Sequence, residues 1–221
     1  ILEAATIPYT FSDPLPMTTT LHKETALRLV RSHGLPTADF CLVCEPGDID
    51  TVTLAFPLFA KPVAEGTSKG IKNDNLVSNP ADLRAVCLRL LRTYQQPVLV
   101  EQYLSGRELT VGILGTGRSA RAIGALEIVH TSSPDQSTHT AYSYENKEYC
   151  EEQIVYTVAV DRVAHQAADI ALAAWRALGC CDAGRVDIRC NSAGSPCFLE
   201  ANPLPGLHPT HSDLPILCTK S

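Results

Sequence analysis

The chain has 221 residues, of which 45% are hydrophobic and 19% charged, and a net charge of −6. That length holds one large domain or two small ones around a real core, and the acidic balance gives no support to nucleic-acid or anionic-membrane binding, which need concentrated basic surface. No apolar run approaches the roughly 20 residues that span a bilayer, and Ile1-Leu2-Glu3 lacks the basic and apolar regions of a signal peptide, so a cytoplasmic location is expected.

In chain order, a helix is predicted from about Leu21 to His33, with Ala26, Leu27, Leu29 and Val30 on its apolar face and Gly34 ending it. A strand near Asp39–Cys44 follows, then a second, Phe56–Pro62, which runs into the loop Ala64–Gly70. Pro80 to Tyr94 reads as a helix, with Asn79 as its cap and Pro80 in the first turn. Strands are predicted at Pro97–Tyr103, Glu108–Leu114 and Ala120–Val129. Thr131–Cys150 is polar and without period, a long loop of the kind that is functional or disordered. Asp161–Leu178 is an Ala- and Leu-rich helix ended by Gly179. Arg185–Cys190 and Cys197–Ala201 form a hairpin across Asn191–Ser195, and Asn202–Pro215 is too rich in Pro and Gly to be regular. The class is α+β: antiparallel sheet with helices packed on it.

Nine cysteines at irregular spacing argue for reduced thiols rather than a disulfide framework. Cys41 and Cys44 form a C-x-x-C, but in a strand and without a second ligand pair. They are expected to be small buried hydrophobes.

Three constellations carry chemistry. Gly66, Thr67, Ser68 and Gly70 follow a strand, so their N–H groups and hydroxyls suit phosphate oxygens, although a plain Gly-rich turn fits as well and no P-loop ending closes it. Lys61, inside the apolar strand Leu58–Val63, is rarely buried without a partner, and a phosphate would be a natural one. Glu101 and Glu108, at the ends of two successive strands, could accept from an adenine amino group and ribose hydroxyls, or be edge carboxylates in solvent. On the hairpin, residues two apart share a face. Arg185 and Asp187 therefore point together, as do Glu200 and Asn202, and strand pairing brings Asp187, Glu200 and Asn202 within reach. Two carboxylates and an amide oxygen make a hard site suited to Mg²⁺, the alternative being the solvent face of a hairpin.

Lys61-Pro-Val-Ala-Glu-Gly-Thr-Ser-Lys-Gly-Ile71, Val100-Glu-Gln-Tyr-Leu-Ser-Gly-Arg-Glu-Leu-Thr-Val-Gly-Ile-Leu-Gly115, Gly184-Arg-Val-Asp-Ile188 and Phe198-Leu-Glu-Ala-Asn-Pro-Leu-Pro-Gly206, in this order, resemble the D-alanine–D-alanine ligase family of the ATP-grasp superfamily. Thr210-His-Ser-Asp-Leu-Pro215 is similar to that family's closing substrate loop. The resemblance implies an ATP-grasp fold whose two subdomains enclose the nucleotide, with residues 1–20 a remnant of an N-terminal substrate domain, 21–97 the small subdomain and 98–221 the large catalytic one. It implies ATP and two Mg²⁺ (or Mn²⁺) as cofactors, and small-molecule amino-acid substrates. The assembly left open by that reading is a homodimer.

Carried over by residue, Lys61 would bind phosphates under a cover formed by Glu65, Gly66, Thr67 and Ser68. The backbone of Gln102, Tyr103 and Leu104 would read adenine beside Glu101, and Glu108 would hold the ribose. Asp187, Glu200 and Asn202 would bind the metal ions, and Arg185 would stabilise the acyl phosphate. Ser212 would meet the carboxylate of the second amino acid, and Lys147 would reach the γ-phosphate on loop closure. There are departures. Counting back from Gly34-Leu-Pro36, a second phosphate-binding Lys is expected at a position that here is Leu27, beside Arg28. Glu148 follows Lys147, then Tyr149, where an aromatic residue or His is usual directly after the Lys. The chain starts where the family's N-terminal domain, which holds the first D-alanine, would be ending, and the last helix is cut short, so this piece alone is expected to be inactive. Two other readings are a different ATP-grasp ligase, with Glu148 selecting a basic acceptor, and a nucleotide-binding relative without turnover.

Overall fold

The structure is a computed structural model that describes residues 1–67, 69–130 and 154–220. Ser68, the stretch 131–150 and with it Lys147, Glu148 and Tyr149, for which the sequence raises expectations, lie outside those residues.

The first sheet has four strands in the order β1-β4-β2-β3, all antiparallel: β1 Phe40–Val43, β2 Leu58–Pro62, β3 Leu76–Val77 and β4 Val98–Gln102. Alternation decides its faces. Val98 and Val100 join Leu58 and Ala60 against Leu83, Val86, Cys87 and Leu90 of helix α3, Pro80–Tyr94. The next residues along, Leu99 and Glu101, point the other way, and Leu99 enters the second core. Asn79 caps α3 through the Asp82 N–H, as expected.

The second sheet runs β7-β6-β5-β8-β9, with β5 Glu108–Leu114, β6 Arg121–His130, β7 Ile154–Ala159, β8 Ala183–Cys190 and β9 Pro196–Asn202. Helix α4, Arg162–Ala177, lays Ala164, Ala167, Ala171, Ala174 and Trp175 on one face, in one core with Val111, Ile113, Val186, Ile188 and Phe198. Asp161 caps it, accepting from the Val163 and Ala164 N–H groups. The small Ala stripe lets the helix approach closely. Gly184 sits under the end of it, where a Cβ would lie 2.5 Å from Trp175 Cη2 and 2.6 Å from the Asn202 carbonyl oxygen. Gly184→Ala should therefore destabilise the fold by about 3 kcal/mol, the upper range for overpacking, because the carbonyl cannot swing away. A chemical-denaturation midpoint equal to wild type would contradict this packing.

Between the two sheets runs the connector from Gln102 to Glu108. Arg107 pins it, donating to both Glu127 oxygens at 2.7 Å and pairing with Asp161 at 2.8 Å. Two elements cross the expected division at 97/98. β4, assigned there to the second part, lies in the first sheet, and helix α2, Lys23–Ser32, assigned to the first part, packs Ala26, Leu27 and Val30 into the core of the second sheet.

Helix α1, Pro14–Leu21, was not anticipated: two Pro and three Thr hide it. The prolines fit its first turn, and the Thr18 and Thr20 hydroxyls return to the Pro14 and Pro16 carbonyls at 2.8 Å. The reading of Asn202–Pro215 as irregular also needs correction, because helix α5 begins inside it and spans Asp213–Lys220. Leu214, Ile216 and Leu217 bury against the sheet and hold it. The eight described cysteines are free thiols. Cys87, Cys180, Cys190 and Cys197 are buried, and Cys41 is half-buried. Cys44 corrects the expectation for the C-x-x-C, since it lies exposed just beyond the end of β1. No helix among the described residues is long and apolar enough to cross a membrane.

Candidate active site in the cleft between the sheets

The face of β4 that carries Leu99 and Glu101 and the face of β8 that carries Arg185 and Asp187 enclose a cleft of about 500 Å³. Of the predicted site residues among the described ones, Lys61, Glu65, Gly66 and Thr67, Glu101 to Leu104, Glu108, Arg185, Asp187, Glu200 and Asn202, and Ser212 line it, whereas Gly70 packs instead against Pro62 and Tyr94.

On the first sheet, Lys61 opposes Leu99 and Phe59 opposes Glu101, so Lys61 and Glu101 are diagonal neighbours on one face. They form an ion pair of 2.5 Å with side chains only 6% and 5% exposed. The expected burial of Lys61 is correct, but the partner the protein itself provides is a carboxylate. Glu101 is thereby no solvent-edge residue.

On the second sheet, Arg185 faces Asn202 and Asp187 faces Glu200 across the hairpin, and Thr110 of β5 faces Asp187 from the other side. A bulge at this point decides the chemistry. Phe198 and Glu200, two apart, would share a face in a regular strand. Because the register shifts between Asp187 and Ile188, Phe198 enters the core opposite Ile188 while Glu200 stays in the cleft opposite Asp187.

Asp187 accepts from Thr110 Oγ1 at 2.8 Å, Arg185 Nη1 at 2.9 Å and Asn202 Nδ2 at 3.1 Å. Burial pushes its carboxyl up to about 7, against the lowering effect of Arg185, and the charges of Glu200 and Asp213 push the same way as burial. For Glu200 burial also raises, but the combined charges of Lys23, Lys61 and Arg185 outweigh it and hold the carboxyl down to about 2. Arg185 is opposed by burial and kept charged by Asp187, Asp213 and Glu200.

Toward the other end, Glu108 pairs with Arg189 at 3.5 Å, and Arg189 lies over the Tyr103 ring at 5.0 Å and donates to its hydroxyl at 3.0 Å. The Gln102 and Tyr103 N–H groups are spent on the Asp39 and Pro57 carbonyls. This narrows the backbone reading surface to the Leu104 N–H and the segment's carbonyls. Ser212 Oγ accepts from the His208 N–H at 3.0 Å, closing the turn ahead of α5.

Lys23 was missed, and it corrects the assignment of a lost cation to Leu27. Leu27 is 1% exposed in the core. Lys23, one turn earlier on the same face of α2, reaches into the cleft to donate to the Glu65 carbonyl at 2.6 Å and pair with Glu200 at 3.4 Å. The signal was present, a cation heading an apolar helical stripe, but the count from Gly34 landed a turn too late. Arg189, Thr110 and Asp213 were also passed over, since each needed strand register or tertiary contact to be placed.

Two antiparallel sheets meeting over such a cleft define the ATP-grasp class of fold. The family model described as "D-ala D-ala ligase C-terminus" matches residues 29–221. The chain is 35% identical over 217 residues to a D-alanine–D-alanine ligase of Bordetella petrii, covering 97% of this chain and 64% of that protein. It is 34% identical to a Sinorhizobium fredii protein named only as uncharacterized protein y4sG, over 96% of this chain and 61% of that one. Among solved structures, D-alanine–D-alanine ligase from Bacillus anthracis complexed with ATP superposes with a TM-score of 0.75 at 22% identity, over 99% of this chain and 66% of that one. The VanG D-Ala:D-Ser ligase of Enterococcus faecalis superposes with a TM-score of 0.77 at 24% identity, over 98% and 62%. The chain belongs to the D-alanine–D-alanine ligase family and carries its C-terminal part. It spans about 64% of the length of the first of these relatives.

Proposed function

We propose that this chain is the nucleotide-binding and catalytic part of an ATP-dependent, cytoplasmic ligase that forms D-alanyl-D-alanine, a peptidoglycan precursor, through an acyl phosphate. One observation carries the reading: Lys23, Lys61 and Arg185 converge with Asp187, Glu200 and Asn202 in one cleft between two sheets. Such a mixture of fixed cations and oxygen ligands suits a metal-bound triphosphate. The Lys61 and Lys23 ammonium groups neutralise phosphate oxygens under the loop from Glu65 to Thr67. Glu101, the Leu104 N–H and the neighbouring carbonyls face the base, and Glu108 the ribose. Arg185 holds charge that develops on the acyl phosphate and on the tetrahedral species formed when the second amine attacks. Ser212 receives the acceptor's carboxylate.

The residues fit magnesium. Among the described residues no cluster of three or more His, Cys, Asp or Glu has metal-site geometry, but the set proposed here has two acids and an amide, all hard oxygen donors. Burial, with the charges of Glu200 and Asp213, pushes the Asp187 carboxyl up to about 7 despite Arg185, and a divalent cation there would favour its ionised form. Held by Asp187, Glu200 and Asn202, magnesium would supply charge screening of the phosphates and Lewis-acid activation of the γ-phosphoryl group. Lys23 also supplies the cation whose supposed loss motivated the reading as a relative without turnover.

An ADP-release assay on the full-length protein, with a panel of D- and L-amino acids, tests the proposal. D-Alanine should stimulate release most, with the dipeptide as product. Protein that binds Mg-ATP yet turns over no amino acid would defeat it.

A further inference from the structure

Arg185 is held on one nitrogen from two directions. Its Nη1 lies 2.9 Å from Asp187 Oδ1, two residues along the same strand, and 2.8 Å from Asp213 Oδ2, in the first turn of α5. The side chains of Arg185 and Asp213 are 23% and 16% exposed. A guanidinium is a planar fork with five donors. Fixing one terminal nitrogen between two carboxylates sets the plane of the fork and leaves Nη2 and Nε as the donors for a substrate oxygen.

The two anchors are not equivalent. Asp187 also accepts from Thr110 and Asn202 and belongs to the oxygen set that suits a cation. Any cation it binds weakens its hold on Arg185. Asp213 stands outside that oxygen set, on α5 rather than on the hairpin, and its carboxylate meets Arg185 from there. It is also delivered rigidly. Leu217, one turn on from Asp213 in α5, rests against Gly112 of β5, where a Cβ would come within 2.7 Å of Leu217 Cδ2. Leu214 and Ile216 are buried beside it. An acidic residue also suits the first turn of a helix.

We propose that Asp213 is a positioning residue for Arg185, the anchor that keeps the guanidinium aimed at the acyl phosphate when Asp187 is occupied by a cation. The inference rests on the ligase reading above. A misplacement of about 1 Å in a catalytic group lowers rates about 10²-fold, and that is the scale expected here.

The test is steady-state ADP release by full-length protein carrying D213A, D213N, R185A and the R185A/D213A pair. D213A should lower kcat roughly 30- to 100-fold and leave KM for ATP within about twofold. D213N, which keeps an oxygen acceptor, should fall between D213A and wild type. The double variant should be no slower than R185A alone, since Asp213 acts through Arg185. D213N is nearly isosteric and carries the test if D213A fails to fold. Wild-type kcat in D213N and D213A, an added loss in the double variant, or a rise in KM for ATP with unchanged kcat would each overturn the proposal. Wild-type protein that releases no ADP with D-alanine would instead sink the ligase reading, and the role of Asp213 with it.

Discussion

Glu200→Gln should lower kcat about 10³-fold or more while leaving the protein folded. Each tenfold in rate corresponds to about 1.4 kcal/mol of barrier, and a metal ion acting as Lewis acid supplies several kcal/mol of transition-state charge stabilisation. Glu200 is where most of that grip would originate, because its carboxyl is held down to about 2 by Lys23, Lys61 and Arg185 and stays ionised across working pH. The amide keeps the shape and removes the charge. Stability should fall by roughly 1–3 kcal/mol, because a carboxyl held well below its ordinary value is favoured in its charged form, with the loss of the 3.4 Å contact to Lys23 partly offset by relief of the neighbouring Asp187. Asp187→Asn should be as inactive but less stable, because it disturbs the bonds to Thr110, Arg185 and Asn202 together. The measurements are kcat by ADP release and a thermal melt on the same preparations. A Glu200→Gln protein with wild-type kcat would remove the metal assignment.

Much of this site was legible in the sequence because strand periodicity is simple. Once β8 and β9 are a hairpin, Arg185, Asp187, Glu200 and Asn202 fall on one face, and the structure places them so. The bulge was not legible. It lets Phe198 and Glu200 take opposite faces, and nothing local in Phe198-Leu-Glu200 announces an extra residue. Helices with strong apolar stripes were found to within a residue or two, whereas α1 was lost to its Thr and Pro content and α5 to the prolines around it. Strand β7 was passed over beside a polar stretch. Position along a helix is a stricter demand than its existence: α2 was expected, yet its cleft cation was sought at Leu27 rather than at Lys23. Pairings that join distant segments, such as Arg185 with Asp213, exist only after the chain has folded.

Lys61→Ala should produce two losses at once, and they can be separated. In the folded protein Lys61 and Glu101 neutralise each other in a site where both side chains are about 95% removed from solvent, at 6% and 5% exposure. Removing the Lys leaves Glu101 buried without its partner, and breaking such a pair destabilises by about 3–5 kcal/mol. Binding of ATP should also weaken by tenfold or more, as the triphosphate loses a cation fixed in a low-dielectric cleft. A lower affinity in the single variant could therefore reflect partial unfolding. The pair Lys61→Met with Glu101→Leu, read against Glu101→Leu alone so that the base contact is accounted for, resolves this, since replacing a buried ion pair by apolar groups of similar volume is often neutral or stabilising. The double variant should melt close to wild type and still bind ATP weakly, by calorimetry on folded protein. Were it to bind ATP as tightly as wild type, Lys61 would be a structural partner of Glu101 and not a phosphate ligand. Were it as unstable as the single variant, the uncompensated carboxylate would not be the source of the instability. If Lys61 binds phosphate as proposed, the ion pair and the nucleotide would draw on the same ammonium group, so Glu101 would give up part of the charge that holds it and a base amino group beside it would be the natural replacement donor.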